Sequence, residues 1–254
     1  MSVNYDSWNE YAKEFNQLSS FDPQLIHLGL GIEGIKVSEL VTQPDMNILD
    51  VGCGNGKNTY LLAQATNGQV DGIDMAKSAI IEANERYCRP NIAFTPVDFY
   101  EHNKLCGIKY DLVTFFGSID YIVLQKEFFS VLNRITNDEA ICYISKFHPF
   151  WTALFENDVS LSNQKSYFEN GRIDEVIYGQ SNRFVFQRYH YTFEHLFSSF
   201  KSGSWVLMDL KEPKPAFSKA AFAYNDYDKD EVLRKRMENI PMTLILKFKK
   251  TFGR

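Results

Sequence analysis

The chain has 254 residues, 44% of them apolar and 23% charged, which suits one large globular domain or one domain carrying an inserted cap. Its formal net charge of −5 argues against a nucleic-acid partner, which wants a basic face. No apolar run approaches the roughly 20 residues of a membrane helix, and the N-terminus lacks a charged-then-apolar signal segment, so a cytoplasmic protein is expected.

Residues 1–45 read as an N-terminal helical cap, because Trp8, Tyr11, Phe15 and Leu18 fall on one helical stripe. Residues 46–146 alternate strand and helix. Strands are expected at 47–51, 69–74, 92–97, 110–116 and 140–146, and helices at 57–66, 76–87 and 125–135. Such alternation with short connections makes a parallel sheet with helices on both faces. The carboxyl end of the strand Tyr110–Phe116 should face a ligand, since open α/β sheets bind beyond their strand ends.

Residues 147–204 break the rhythm. Aromatic side chains make up 14 of the 54 residues from Phe147 to Phe200, against 15% for the whole chain. They must bury themselves, either as a lid over a substrate or as a satellite core. A lid is favoured because the insert starts directly after the fifth strand. Residues 205–254 add strands at 205–210 and 243–250, with Glu212-Pro-Lys-Pro215 as a loop between them. The charged run Asp226–Asn239 reads as an exposed helix or a flap. The basic tail, Lys247, Lys249, Lys250 and Arg254, is the one candidate nucleic-acid patch, but Lys247 and Lys249 alternate with Leu246 and Phe248 as the solvated face of a strand would. Cys53, Cys88, Cys106 and Cys142 show no C-x-x-C spacing, so neither zinc nor a disulfide framework is implied.

The richest stretch is Asn47-Ile-Leu-Asp-Val-Gly-Cys-Gly-Asn-Gly56, a strand running through three glycines into a helix. It places bare backbone N–H groups and a helix N-terminus against a ligand. In a nicotinamide-binding loop, G-x-G-x-x-G, the third glycine would stand where Lys57 stands. Asp50 would also repel a pyrophosphate and suit a ligand bearing an ammonium, as the methionine end of S-adenosylmethionine does. Asp74 closes the next strand, twenty residues after Gly54, where an acid accepts hydrogen bonds from ribose hydroxyls.

Leu49-Asp50-Val51-Gly52-Cys53-Gly54-x-Gly56, then Gly72-Ile73-Asp74, then Val97-Asp98-Phe99, closely resembles the class I S-adenosylmethionine-dependent methyltransferases. The resemblance implies a Rossmann-like, seven-stranded, mostly parallel sheet whose last strand is antiparallel and inserted. It also implies S-adenosylmethionine as cofactor and S-adenosylhomocysteine as product. Gly52, Cys53, Gly54 and the Asp50 region would hold the methionine end. Asp74 would hold the ribose, with Met75 packed on the adenine. Asp98 would meet the adenine amino group with Phe99 beside the ring, and Gly117 and Ser118 would pass near the sulfonium. Trp8-Asn-Glu-Tyr-Ala12-Lys-Glu-Phe15 looks like the N-terminal segment of many small-molecule members, with Phe15 where a tyrosine is usual.

Ser145-Lys-Phe-His148-Pro149-Phe150 is similar to the end of the fifth strand in ubiquinone/menaquinone-type enzymes. Arg188-Tyr-His190-Tyr191-Thr-Phe, Glu212-Pro213-Lys-Pro215 and Ile240-Pro241-Met242 resemble their cap and closing segment, although Gly203-Ser-Trp205 departs from the expected Gly-Phe. Methyl transfer is an in-line displacement that needs positioning and dryness, and a base only if the acceptor must lose a proton. His148 and His190 are the candidate bases, since histidine titrates near neutrality. Tyr11, Phe150, Trp151 and Tyr191 are candidate acceptor contacts. No Ser/His/Asp order and no metal cluster is present, and His27, His102 and His195 have weaker context.

The expected partner is thus a small-molecule acceptor, with no nucleic acid or membrane, on a monomer or homodimer. The alternatives are an RNA or protein methyltransferase and a non-catalytic binder of the cofactor. A nicotinamide-dependent oxidoreductase fails on the misplaced glycine.

Overall fold

The computed structural model describes residues 3–18, 22–29, 31–105, 107–155, 166–178, 183–216, 231, 235 and 238–251. Nine strands are described: β1 (Ile48–Val51), β2 (Val70–Asp74), β3 (Ile92–Pro96), β4 (Tyr110–Phe116), β5 (Thr136–Phe147), β6 (Gly171–Tyr178), β7 (Arg183–His190), β8 (Trp205–Lys211) and β9 (Thr243–Lys250). The helices are α1 (Val3–Leu18), α2 (Lys57–Ala65), α3 (Lys77–Arg86), α4 (Phe99–Leu105), α5 (Lys126–Ile135), α6 (Pro149–Phe155) and α7 (Phe193–Ser202).

Seven strands form one sheet in the order β3-β2-β1-β4-β5-β9-β8, and β6 and β7 form a separate hairpin. β1 pairs in parallel with both β2 and β4, whereas β9 runs antiparallel between β5 and β8. This is the expected Rossmann-like sheet with an inserted antiparallel strand. The order reverses between β1 and β4, so a crevice opens beyond their carboxyl ends.

Strand β1 is buried at all four positions, as a central parallel strand covered on both faces must be. One face packs Phe128, Leu132, Phe200, Trp205 and Phe248 between the sheet and α5 and α7. The other packs Ile26, Leu28, Ile32 and Leu40 against Ile48, Leu112 and Ile245. The helical expectation for 1–45 holds only for α1. Beyond it the described residues up to 45 hold one 3-10 turn, at Val37–Glu39, and cover the sheet with separate apolar contacts.

The aromatic insert divides. Its last part, α7, lies in the main core, where Phe200 stacks on Phe248 at 4.0 Å between ring centres. The hairpin β6–β7 instead leans on the 3-10 turn Ile119–Tyr121 that follows β4, and on α1. The strand β7 alternates exposed or half-buried residues with buried ones, Phe184, Phe186, Arg188 and His190, and this period of two places them on one face. The side chains of Phe15 and Leu18, and most of the charged run 226–239, lie outside the described residues.

Candidate active site at the carboxyl ends of β1 and β4

Three glycines shape the loop after β1, all with positive φ: Gly52 at 74°, Gly54 at 55° and Gly56 at 81°. Two are also held by contact. A Cβ on Gly52 would strike Ser118, and one on Gly56 would come within 2.7 Å of the Phe94 ring and 2.8 Å of the Ala83 methyl. Gly54 differs, because a Cβ there would meet nothing within 4 Å. Gly117, at the end of β4 with φ 75°, faces open space in the same way. The tight packing is therefore on the protein side of the loop and the free volume on the other.

Asp74 ties the loop down. Its Oδ2 accepts from the Gly54 N–H at 2.9 Å and its Oδ1 from the Ala76 N–H at 2.8 Å. Burial pushes its carboxyl up from the ordinary range, and the backbone N–H groups of Ala76, Gly54 and Met75 pull it back. Each carboxylate oxygen keeps a further lone pair for a ligand hydroxyl. Met75 follows, half-buried, between this carboxylate and α3. Ser118 donates its hydroxyl to the Val51 carbonyl, and the Gly117 N–H donates to Ser145 O at 2.9 Å, so the end of β4 is fixed against β1 and β5.

Asp50 does not face the crevice. It is 1% exposed and accepts from the Thr59 hydroxyl at 2.7 Å and the Thr114 hydroxyl at 2.8 Å. It thereby pins β1 to α2 and β4, and a direct contact with a ligand ammonium is not what this arrangement offers. Burial raises its carboxyl to about 6, against the pull of the two hydroxyls, with Asp74 adding to the rise. Cys53 likewise turns inward, among Ile80, Ala83 and Phe94, so only its backbone borders the loop. Burial, then Asp74 and Asp50, drive its thiol well above the usual value, which leaves it unreactive.

Asp98 is exposed and caps α4, accepting from the Glu101 N–H at 2.8 Å. Phe99, expected beside an adenine, is 3% exposed and packs on Phe128 and Phe115 in the core.

The two histidines expected at an acceptor pocket differ. His148 is wholly buried, with Nδ1 accepting from the Phe150 N–H at 3.2 Å and Nε2 lying 2.8 Å from Glu212 Oε1. Both nitrogens are engaged, so this ring clamps the end of β5 to the segment after β8. His190 is 3% exposed, with Nε2 2.9 Å from the Tyr167 carbonyl. A carbonyl can only accept, so the neutral ring carries its proton on Nε2 and its basic lone pair on Nδ1. Burial lowers the pKa of both rings, keeping them neutral at physiological pH.

Tyr191 and Trp151 are each 5% exposed, and the Tyr191 hydroxyl accepts from the Leu124 N–H at 3.0 Å, so both belong to packed interior. Tyr11, also 5% exposed, packs with Trp8 against Phe184 and Phe186. Phe150 is 43% exposed and stacks on Tyr167 at 5.0 Å.

One group was missed in the sequence. Asp120, fully buried, forms an ion pair with Lys146 at 2.8 Å and accepts from the Phe147 N–H at 3.0 Å. The Arg188 guanidinium lies 5.2 Å from the Phe147 ring centre, and its Nη1 donates to Thr152 Oγ1 at 3.2 Å. These side chains bind the ends of β4 and β5 to the hairpin. Lys146, a charge closing an apolar strand, was a legible signal for such a partner. Among the described residues no group of three or more His, Cys, Asp or Glu is arranged to hold a metal, and no described helix is long and apolar enough to cross a membrane.

A sheet of this order, with its glycine loop and strand-end acid beside the reversal point, is a Rossmann-like fold with its crevice at the carboxyl ends of β1 and β4. A family model described as a methyltransferase domain matches residues 42–196, and the chain belongs to that family. A viral relative provisionally named methyltransferase 235L, from Invertebrate iridescent virus 6, is 32% identical over 109 residues. That match covers 42% of this chain and 40% of the relative. Among solved structures, a protein of Listeria monocytogenes provisionally described as an S-adenosylmethionine-dependent methyltransferase is similar at TM-score 0.63 and 18% identity, over 82% of this chain and 92% of that one. Magnesium protoporphyrin IX methyltransferase of Synechocystis PCC 6803, solved with bound S-adenosylmethionine, is similar at TM-score 0.51 and 15% identity, over 85% and 76%. At these identities the structural likeness establishes the fold.

Proposed function

We propose that this methyltransferase takes its methyl group from S-adenosylmethionine and passes it to a small-molecule acceptor carrying an O, N or C nucleophile. The observation that carries the cofactor is the pairing of open Gly54 with the Asp74 carboxylate that holds its N–H. A nucleoside can approach bare backbone there and meet a ribose acceptor. Two desolvated carboxylates, Asp50 and Asp74, favour a cationic ligand over a pyrophosphate. The residues fit the group: Gly52, Gly54 and Gly117 would border the methionine end and the sulfonium, Asp74 the ribose, Met75 and Asp98 the adenine. Asp50 would act through the loop and through its field. When bound, S-adenosylmethionine supplies a methyl group on a sulfonium sulfur, activated for in-line displacement.

The remaining work falls to positioning. The hairpin, α1 and Phe150 would wall the acceptor side and exclude water. If the acceptor must lose a proton, His190 would take it at Nδ1, and His148 would not. The likeness to ubiquinone/menaquinone-type enzymes and the half-buried rings Trp8, Tyr121 and Tyr189 favour a flat or apolar acceptor. The experiment is incubation with methyl-labelled S-adenosylmethionine and, separately, pooled small aromatic, amine and keto-acid compounds, bulk RNA, and protein. Label in the small-molecule fraction is expected. Salt-sensitive label in RNA would replace this reading with the macromolecular one.

A further inference from the structure

Two asparagines on α1 join the proposed cofactor side of the molecule to the proposed acceptor side. Helix α3 begins after Ala76, which stands at its N-cap and makes no side-chain capping bond. Alanine has no acceptor for the free N–H groups of a first helical turn. Asn9 supplies one from another helix: its Oδ1 accepts from the Ser78 N–H at 3.0 Å, and its carbonyl accepts from the Ser78 hydroxyl at 2.7 Å. Two residues earlier, the Ala76 N–H donates to Asp74. A short path of hydrogen bonds thus runs from the Asp74 carboxylate through the start of α3 to Asn9.

The other end of α1 holds the hairpin. A two-stranded hairpin is marginal in water unless something covers it. Asn4 donates from Nδ2 to Gln187 O at 2.7 Å and accepts at Oδ1 from the Gln187 N–H at 2.6 Å, as a neighbouring strand would. Ser7 adds a hydroxyl bond to Val185 O at 2.7 Å. These contacts occupy the edge of β7 that β6 leaves unpaired. Trp8, between the two asparagines, and Tyr11, just beyond Asn9, pack on Phe186 and Phe184, with Trp8 and Phe186 ring centres 4.4 Å apart. From Asn4 to Asn9 is about 7.5 Å of helix, so one rigid turn and a half carries both links.

We propose that Asn9 and Asn4 are positioning residues through which cofactor binding at the Asp74–Met75 turn orders the acceptor wall formed by β7. This rests on the cofactor assignment above. Ligand at Asp74 steadies the start of α3, α3 holds α1, and α1 completes the edge of β7. Because such coupling is reciprocal, an acceptor seated against β7 tightens cofactor binding by the same factor.

The test is amide hydrogen exchange across 183–190 in the intact chain, with and without saturating S-adenosylhomocysteine, whose occupancy is fixed by calorimetry. The wild-type hairpin is expected to exchange at least about fivefold more slowly with the ligand bound. Asn9→Ala should still bind S-adenosylhomocysteine but lose that added protection, and Asn9→Asp, which keeps the acceptor for Ser78, should restore it. Asn4→Ala should exchange fast in both states. Circular dichroism checks that each variant is folded, and Ser78→Ala removes the other of the two bonds, from the Ser78 hydroxyl to the Asn9 carbonyl. Asn9→Ala and Ser78→Ala that retain the full protection would overturn the proposal, as would a wild-type hairpin indifferent to bound ligand. If S-adenosylhomocysteine gives no binding to the wild type, the failure belongs to the cofactor assignment, and the coupling falls with it.

Discussion

The glycine loop and the β6–β7 hairpin lie at the same end of the sheet, yet they are held by opposite means. The loop is fixed by backbone: positive φ angles, glycines pressed on Ser118, Phe94 and Ala83, and N–H groups taken by Asp74 and Ile73. The hairpin is fixed by side chains from distant parts of the chain, Asn4, Trp8 and Tyr11 of α1 and Tyr121 of the turn after β4. On the proposed function, a cofactor cradle set by backbone would thus join an acceptor wall that a few side chains can reshape. Function in α/β enzymes varies in that second part.

The contrast is sharpest at Gly56 and Gly54. Gly56→Val should cost the fold, since the new side chain meets Phe94 and Ala83 at a left-handed φ. Thermal melting should show a loss of about 10 °C or more. Gly54→Ala meets no atom and carries only the strain of its left-handed φ, about 1–2 kcal/mol, so it should melt about 2–8 °C below wild type and lose S-adenosylmethionine binding by tenfold or more. A Gly54→Ala protein that binds normally would remove the loop from the cofactor site.

The histidines divide the acceptor side in the same way. His190→Ala should lower turnover of a proton-losing acceptor by about a hundredfold or more while leaving cofactor affinity in place. His148→Ala should instead cost about 2 kcal/mol of stability through its lost bonds to Glu212 and Phe150, with turnover per folded molecule little changed. The reverse pattern would transfer the base to His148. On the cofactor side, Asp74→Ala should weaken S-adenosylmethionine about a hundredfold, because it frees the Gly54 N–H and, on the proposed assignment, removes the acceptor for the ribose hydroxyls.

Asp50 gives an effect whose sign depends on pH. Folded, its carboxyl holds its proton to about pH 6, whereas the unfolded chain releases it near 3.8. The stability contributed by the neutral form is complete below pH 3.8 and lost as the pH rises to 6. Asp50→Asn does not titrate, so its stability relative to wild type should climb by about 2–3 kcal/mol between pH 4 and 7 in parallel urea titrations. A flat difference would mean that the two threonine hydroxyls hold Asp50 ionised throughout.

The parallel sheet was legible because its strands and helices carry their own periodicity, and the loop because three glycines and a strand-end acid encode a conformation locally. Strand β5 was longer than read, starting at Thr136, where the chain leaves α5 directly into the strand. Strands β6 and β7 and helix α4 were not placed. In β6–β7 the aromatic density hid an alternating pattern, and α4 follows a single capping acid, Asp98. The inward turn of Asp50 was not legible either, since it depends on Thr59 and Thr114, 9 and 64 residues away. Sequence spacing identifies an acid at a strand end, but not which side of the sheet receives its oxygens.

The most direct measurement is calorimetric titration of the folded chain with S-adenosylmethionine and, in parallel, with NAD. Saturable S-adenosylmethionine binding that Asp74→Ala weakens about a hundredfold, with no NAD binding, is the expected result. NAD binding, or a folded protein to which S-adenosylmethionine does not bind, would contradict the account at its centre.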